Sequence, residues 1–161
     1  MHNSGGTAVI PSRVVKKRAF LMQNSKFKIS EPAVRIIISR GNIMDNTNNL
    51  IVEKSFNFAK RIVNLNKYLS SEKKEYTLSK QITRSGTSIG ANVFEAQNAQ
   101  SNADFASKMN IALKEATETL YWLMLLCETD YITQNEFKSL ETDLTDTRNI
   151  LAAICKTSYN K

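Results

Sequence analysis

Residues 132–154, ITQNEFKSLETDLTDTRNILAAI, carry a helix start followed at once by a core face. Thr133 and Glu136 stand at the N-cap and N3 positions of a capping box, where each side chain satisfies the other's orphan backbone N–H. Ile132, one residue earlier, can staple against Phe137 at N4. Phe137, Leu140, Leu144, Leu151 and Ile154 then fall on one side of a 3.6-residue helix. No glycine follows Gly90 and no proline follows Pro32, so nothing downstream interrupts long helices.

Three more helices precede this one. The first spans about residues 50–69, with Val52, Phe56, Ala59 and Val63 at a 4-3-4 spacing. Ile51, Phe58, Ile62, Leu65 and Leu69 widen that stripe to the breadth a bundle core needs. The second spans about residues 77–99 and sets Leu78, Ile82, Ile89, Val93 and Ala96 inward. The third starts at Ser101, a cap with Asp104 at N3, where the shorter carboxylate makes an imperfect box. Its inward row is Phe105, Met109, Ala112, Ala116, Leu120, Leu123 and Cys127. Short links favour antiparallel neighbours, so the expected fold is all-α: an up-and-down antiparallel four-helix bundle.

The net charge of +7 over 161 residues suggests an acidic partner such as nucleic acid. Its distribution alters that reading. Residues 1–43 hold eight Lys and Arg against Glu31 alone, whereas residues 44–161 hold fourteen of each sign. The excess therefore belongs to the N-terminal extension. That segment is punctuated by Gly5, Gly6, Pro11, Pro32 and Gly41 and is expected to be poorly ordered, with residues 33–39 the one candidate strand. Met44 opens a polar lead-in to the first helix, so an alternative expectation is a misassigned upstream start, with the working domain at 44–161.

Several classes are excluded or disfavoured. The longest apolar run, residues 120–127, is too short for a membrane helix. Residues 1–30 lack the order of a signal peptide, and the expected location is cytoplasmic. His2 is the only histidine and lies outside the bundle, so the Glu-x-x-His motif of carboxylate di-iron bundles is missing and no metal or cofactor is expected. Cys127 and Cys155 read as inert small hydrophobes on core-facing rows.

Two features exceed the needs of a core. The third helix ends Leu120-Tyr121-Trp122-Leu123-Met124-Leu125-Leu126-Cys127, apolar almost all round. Either Tyr and Trp are half-exposed beside a wide core face, or Tyr121, Trp122 and Leu125 bury against another subunit. On the second helix, Gln81, Ser85, Ser88, Asn92 and Glu95 recur at 4-3-4-3 and share a face, with Arg84 at its border and Gly86 and Gly90 nearby. This stripe reads as a structural polar seam with Arg84 and Glu95 or Glu118 supplying charged bonds, as a recognition surface, or as an enzyme site. The last is the weakest, because Ser85 and Ser88 have no base at a helical spacing to activate them.

The segment Gln81, Arg84, Ser85, Ser88-Ile89, Asn92 and Glu95 resembles the signature of the small bacterial 23S rRNA-intervening-sequence (S23) proteins. Asp104-Phe105, Ile111-Ala112, Glu118 and Phe58-Ala59 extend the likeness over residues 47–157. The chain departs at Ala96, where the family often has Gly, and at Lys114-Glu115, in place of a Gly-Ser step. The resemblance implies a four-helix bundle assembled as a homopentamer. It also implies a wider similarity to the accessory proteins of diversity-generating retroelements, which bind RNA and a reverse transcriptase. The family's name records a gene location, not an activity. The expected function is a non-enzymatic homo-oligomeric scaffold or binding module, with RNA or a nucleic-acid-associated protein as partner. The alternative is a purely structural or protein–protein interaction module.

Overall fold

The computed structural model describes residues 46–159. The expectations for residues 1–43 lie outside the described residues. Four helices follow in order: α1 (Asn46–Ser71), α2 (Leu78–Ala96), α3 (Asn102–Glu128) and α4 (Gln134–Tyr159). Each packs against its chain neighbours and α4 closes back on α1, which is the expected up-and-down bundle. The α1–α4 seam is the thinnest of the four.

The cap of α4 forms as its sequence requires. The Glu136 N–H donates to Thr133 Oγ1 at 3.3 Å, and the Thr133 N–H donates to Glu136 Oε2 at 2.8 Å. Ile132 is buried, and Phe137 packs on the core margin. At α3 the Asp104 N–H donates to Ser101 Oγ at 3.1 Å, but Asp104 reaches back to the Gln100 N–H instead of that of Ser101. The far end of α3 is closed by a Schellman turn: Tyr131 N–H bonds the Leu126 carbonyl, Asp130 N–H bonds that of Cys127, and Asp130 takes φ 59°.

The start of α2 is capped from upstream, which its hydrophobic pattern does not announce. Thr77 makes no side-chain cap. Glu75 does that work: its carboxylate accepts N–H bonds from Thr77 and Leu78 at 2.8 Å and from Ser79 at 2.7 Å. A carboxylate there also complements the positive end of the helix dipole. Burial alone would raise the Glu75 carboxyl, but the bonds from Leu78, Ser79 and Thr77 outweigh it and hold the group below its ordinary value. A depressed folded pKa contributes stability that is present above the unfolded pKa and lost as pH falls through the folded one. Glu75→Gln should therefore cost about 1–2 kcal/mol near neutral pH. In parallel urea titrations, the gap from the native chain should close as the pH drops below about 4.

The inward row of α1 is a correction. Ile51, Ser55, Phe58, Ile62, Leu65 and Leu69 face the core, whereas Phe56 is 49% and Val63 38% exposed. Both rows have helical period and are offset by one position. Ser55 makes the true row look broken, yet its hydroxyl is satisfied by the Val52 carbonyl at 3.2 Å. Thr119 on α3 and Thr147 on α4 fill core rows in the same way, each bonded to a carbonyl one turn back. Cys127 lies at the core margin and Cys155 within the core.

The two glycines of α2 have different roles. A Cβ on Gly86 would stand 2.8 Å from Ile62 Cγ1, and Ile62 is fully buried and stiff at χ1. A Cβ on Gly90 would meet nothing closer than the Ser55 carbonyl oxygen at 3.5 Å, an ordinary contact. Gly86→Ala should thus lose stability, because overpacking of about 1–3 kcal/mol exceeds the helix-propensity gain of about 1 kcal/mol. Gly90→Ala should gain roughly 0.5–1 kcal/mol. Thermal melts of the two variants should shift in opposite directions.

Candidate functional site

Helix α2 lies antiparallel to α3, and its polar stripe runs along that seam. The Ser85 and Thr119 hydroxyls meet at 3.0 Å with both residues fully buried, and each also reaches a carbonyl of its own helix. Towards one end Glu95 pairs with Lys108. That bond raises the Lys108 pKa, its charge aiding the hydrogen bond. Asn92 donates to the Ser88 carbonyl at 2.9 Å and, like Gln81 and Ser88, is half-buried. Arg84 and Glu95 face solvent. The seam thus joins one buried hydroxyl pair to an exposed polar rim.

On the α3 side of this rim stand Glu115 and Glu118. Burial raises the Glu115 carboxyl, the neighbouring Glu118 charge adds to the shift, and Arg84 opposes it. Glu118 Oε1 accepts from Trp122 Nε1 at 3.1 Å. The arrangement orients an indole and stores a carboxyl, but offers Ser85 no base. Burial, and to a lesser degree the charges of Glu128 and Asp130, raise the Cys127 thiol; burial likewise raises that of Cys155, so neither is an activated thiolate. Among the described residues no group of three or more His, Cys, Asp or Glu side chains could hold a metal ion. None of the described helices is long and apolar enough to cross a membrane.

The outer face of α3 is the second candidate. Tyr121 is 58% and Met124 51% exposed, while Trp122 and Leu125 are half-buried. The Tyr121 and Trp122 rings meet edge to face, with centroids 4.9 Å apart. Met124 belongs with the three residues expected from sequence, since its spacing from Tyr121 places it on the same outer side. Ile111 stands three helical turns before Trp122, on the same side of α3, and is itself 38% exposed. It extends the apolar surface towards the start of the helix.

Among known proteins, the family model described as 23S rRNA-intervening sequence protein matches residues 47–153. The chain belongs to that family. A solved relative is a protein of unknown function from the S23 ribosomal protein family of Bacteroides thetaiotaomicron, 55% identical. The match covers 68% of this chain and 98% of that one, with a TM-score of 0.68. No curated protein matches. As a member of the 23S rRNA-intervening sequence family, the chain is a helical module. Of its signature residues, Ser85 bonds Thr119 across the α2–α3 seam, Asn92 bonds the Ser88 carbonyl of its own helix, and Arg84 and Glu95 are exposed.

Proposed function

We propose that this family member is a homo-oligomeric scaffold that binds a partner, with RNA as the leading partner class and a pentamer as the assembly. The observation that carries the reading is the outer face of α3, where Tyr121 and Met124 are more than half exposed beside Trp122 and Leu125. A contiguous aromatic and aliphatic face of this kind is what a subunit contact buries. A wider likeness to retroelement accessory proteins and a cytoplasmic location are part of the same proposal.

Trp122 is the only tryptophan, so its fluorescence reports on this face alone. In the assembled protein, acrylamide should quench Trp122 as weakly as a buried indole. Quenching at the level of a half-exposed indole, unchanged by protein concentration, would overturn the assembly reading. Retained assembly with no RNA bound at roughly 50 mM salt would leave the protein-interaction alternative.

A further inference from the structure

The balanced charge of the described residues conceals a division between the two helical hairpins. Residues 46–98, which hold α1 and α2, carry eight Lys and Arg against four Asp and Glu. Residues 99–159, which hold α3 and α4, carry five against nine. One side of the bundle is therefore cationic and the other anionic, although the sum is zero.

The cationic side concentrates at the α1–α2 turn. Lys67 ends its outer row on α1, Lys73 and Lys74 lie in the turn, and Lys80 and Arg84 stand one helical turn apart on α2. Lys67, Lys74, Lys80 and Arg84 are all exposed. Of the two acids in the turn, Glu75 is 8% exposed and spent on the α2 backbone N–H groups, which leaves Glu72 as the solvent-facing carboxylate. Amid these cations Tyr76 is 61% exposed, more than any other large apolar side chain of the described residues.

Lys74 adds a second indication. Its φ is 55°, in the left-handed region that favours glycine. Folding alone would be served better by Gly at that position, yet the chain keeps a cation there. An exposed aromatic ring set among lysines, with Glu75 turned inward and Glu72 facing solvent, is a pattern that can stack a base while neutralising the flanking phosphates.

We infer that the α1–α2 turn, through Lys74, Tyr76, Lys80 and Arg84, is a contact surface for single-stranded RNA. The inference rests on the RNA-binding reading above and names its location. It also says how a neutral bundle can bind a polyanion: by dividing its charge between faces.

Glycine fits the backbone at position 74, so Lys74→Gly removes the cation without harming the fold, and Lys80→Ala keeps a good helix former on an exposed face. The test is fluorescence anisotropy of the full chain with a labelled single-stranded RNA of about twelve nucleotides. The native chain is compared with Lys74→Gly/Tyr76→Ala/Lys80→Ala, with Tyr76→Phe, and with Lys156→Ala on the far hairpin as a control. The triple variant should bind at least tenfold more weakly with an unchanged melting temperature. Its slope of log affinity against log salt should become shallower by about 0.7 for each lysine lost. Tyr76→Phe and Lys156→Ala should bind like the native chain. Native-like binding by the triple variant would overturn the location while leaving RNA binding itself intact. Absence of native binding at roughly 50 mM salt would overturn the RNA reading and the location together. A triple variant that loses assembly mass yet binds RNA normally would make the turn a contact for the anionic hairpin of a second copy, and would also overturn the inference.

Discussion

Leu125→Glu should convert the native assembly into an 18.2 kDa chain that remains helical and folds cooperatively. In an isolated subunit Leu125 is half-buried on the outer side of α3, so a glutamate there keeps its carboxylate in water and costs little beyond an ordinary surface change of about 0.5 kcal/mol. In an assembled face the same carboxylate would be buried without a partner, at several kcal/mol per contact. A ring repeats that penalty at every interface. Tyr121→Glu should act in the same direction, since Tyr121 is 58% exposed in the single chain and has little to lose from the monomer fold. Trp122→Glu is less clean, because it also removes the bond to Glu118. Circular dichroism paired with light scattering separates the outcomes: preserved helicity with lost mass supports the interface, and loss of both points to a folding role.

The second large effect is expected at the α1–α4 seam. Arg61 is 7% exposed, and its guanidinium donates to the Ser139 carbonyl at 2.9 Å, to Ser139 Oγ at 2.8 Å and to the Asp143 carboxylate. It crosses from α1 to α4 where the helices have least else in common, and Lys54 to Asp146 at 2.8 Å is the other bridge. A cleft of about 570 Å³ opens along the same seam, lined by Lys54, Asn57, Phe58, Ser139 and Asp143 among others. Breaking a buried ion pair from one side typically costs about 3–5 kcal/mol. Asp143 is 38% exposed and can be rehydrated, so Arg61→Ala should cost roughly 2–3 kcal/mol. Asp143→Asn alone should cost less, and a double-mutant cycle should return coupling of about 1 kcal/mol or more. A loss below about 0.5 kcal/mol for Arg61→Ala would show that the clamp does not hold the seam.

The fold was legible because period and caps agree along most of the chain. The capping box at Thr133 and Glu136 appears in the structure as read, and so does the Ser101 cap of α3. Legibility failed where a polar residue occupies a core row. Ser55 and Thr119 are satisfied by carbonyls of their own helices, which one-dimensional hydrophobicity does not register. The α2 cap was not legible for a related reason: Glu75 is not a conventional capping type, yet its longer side chain reaches the N–H groups of Thr77, Leu78 and Ser79 from upstream of the helix.

The candidate site divides similarly. The stripe from Gln81 to Glu95 was visible as a helical face, but its fate was not. The Ser85–Thr119 bond joins residues 34 apart in sequence and depends on the register between two helices. Tyr121, Trp122 and Leu125 stood out because no single helix face could bury them all. Tyr76 and the charge division between hairpins were not legible, since each gains meaning only once the sides of the bundle are known.

We propose that this module works as an assembly, and the mass of the native full chain in solution decides it. Light scattering on the size-exclusion peak at micromolar concentration should return a multiple of 18.2 kDa, with the pentamer as the expected species. A single 18.2 kDa species across the accessible concentration range would contradict it.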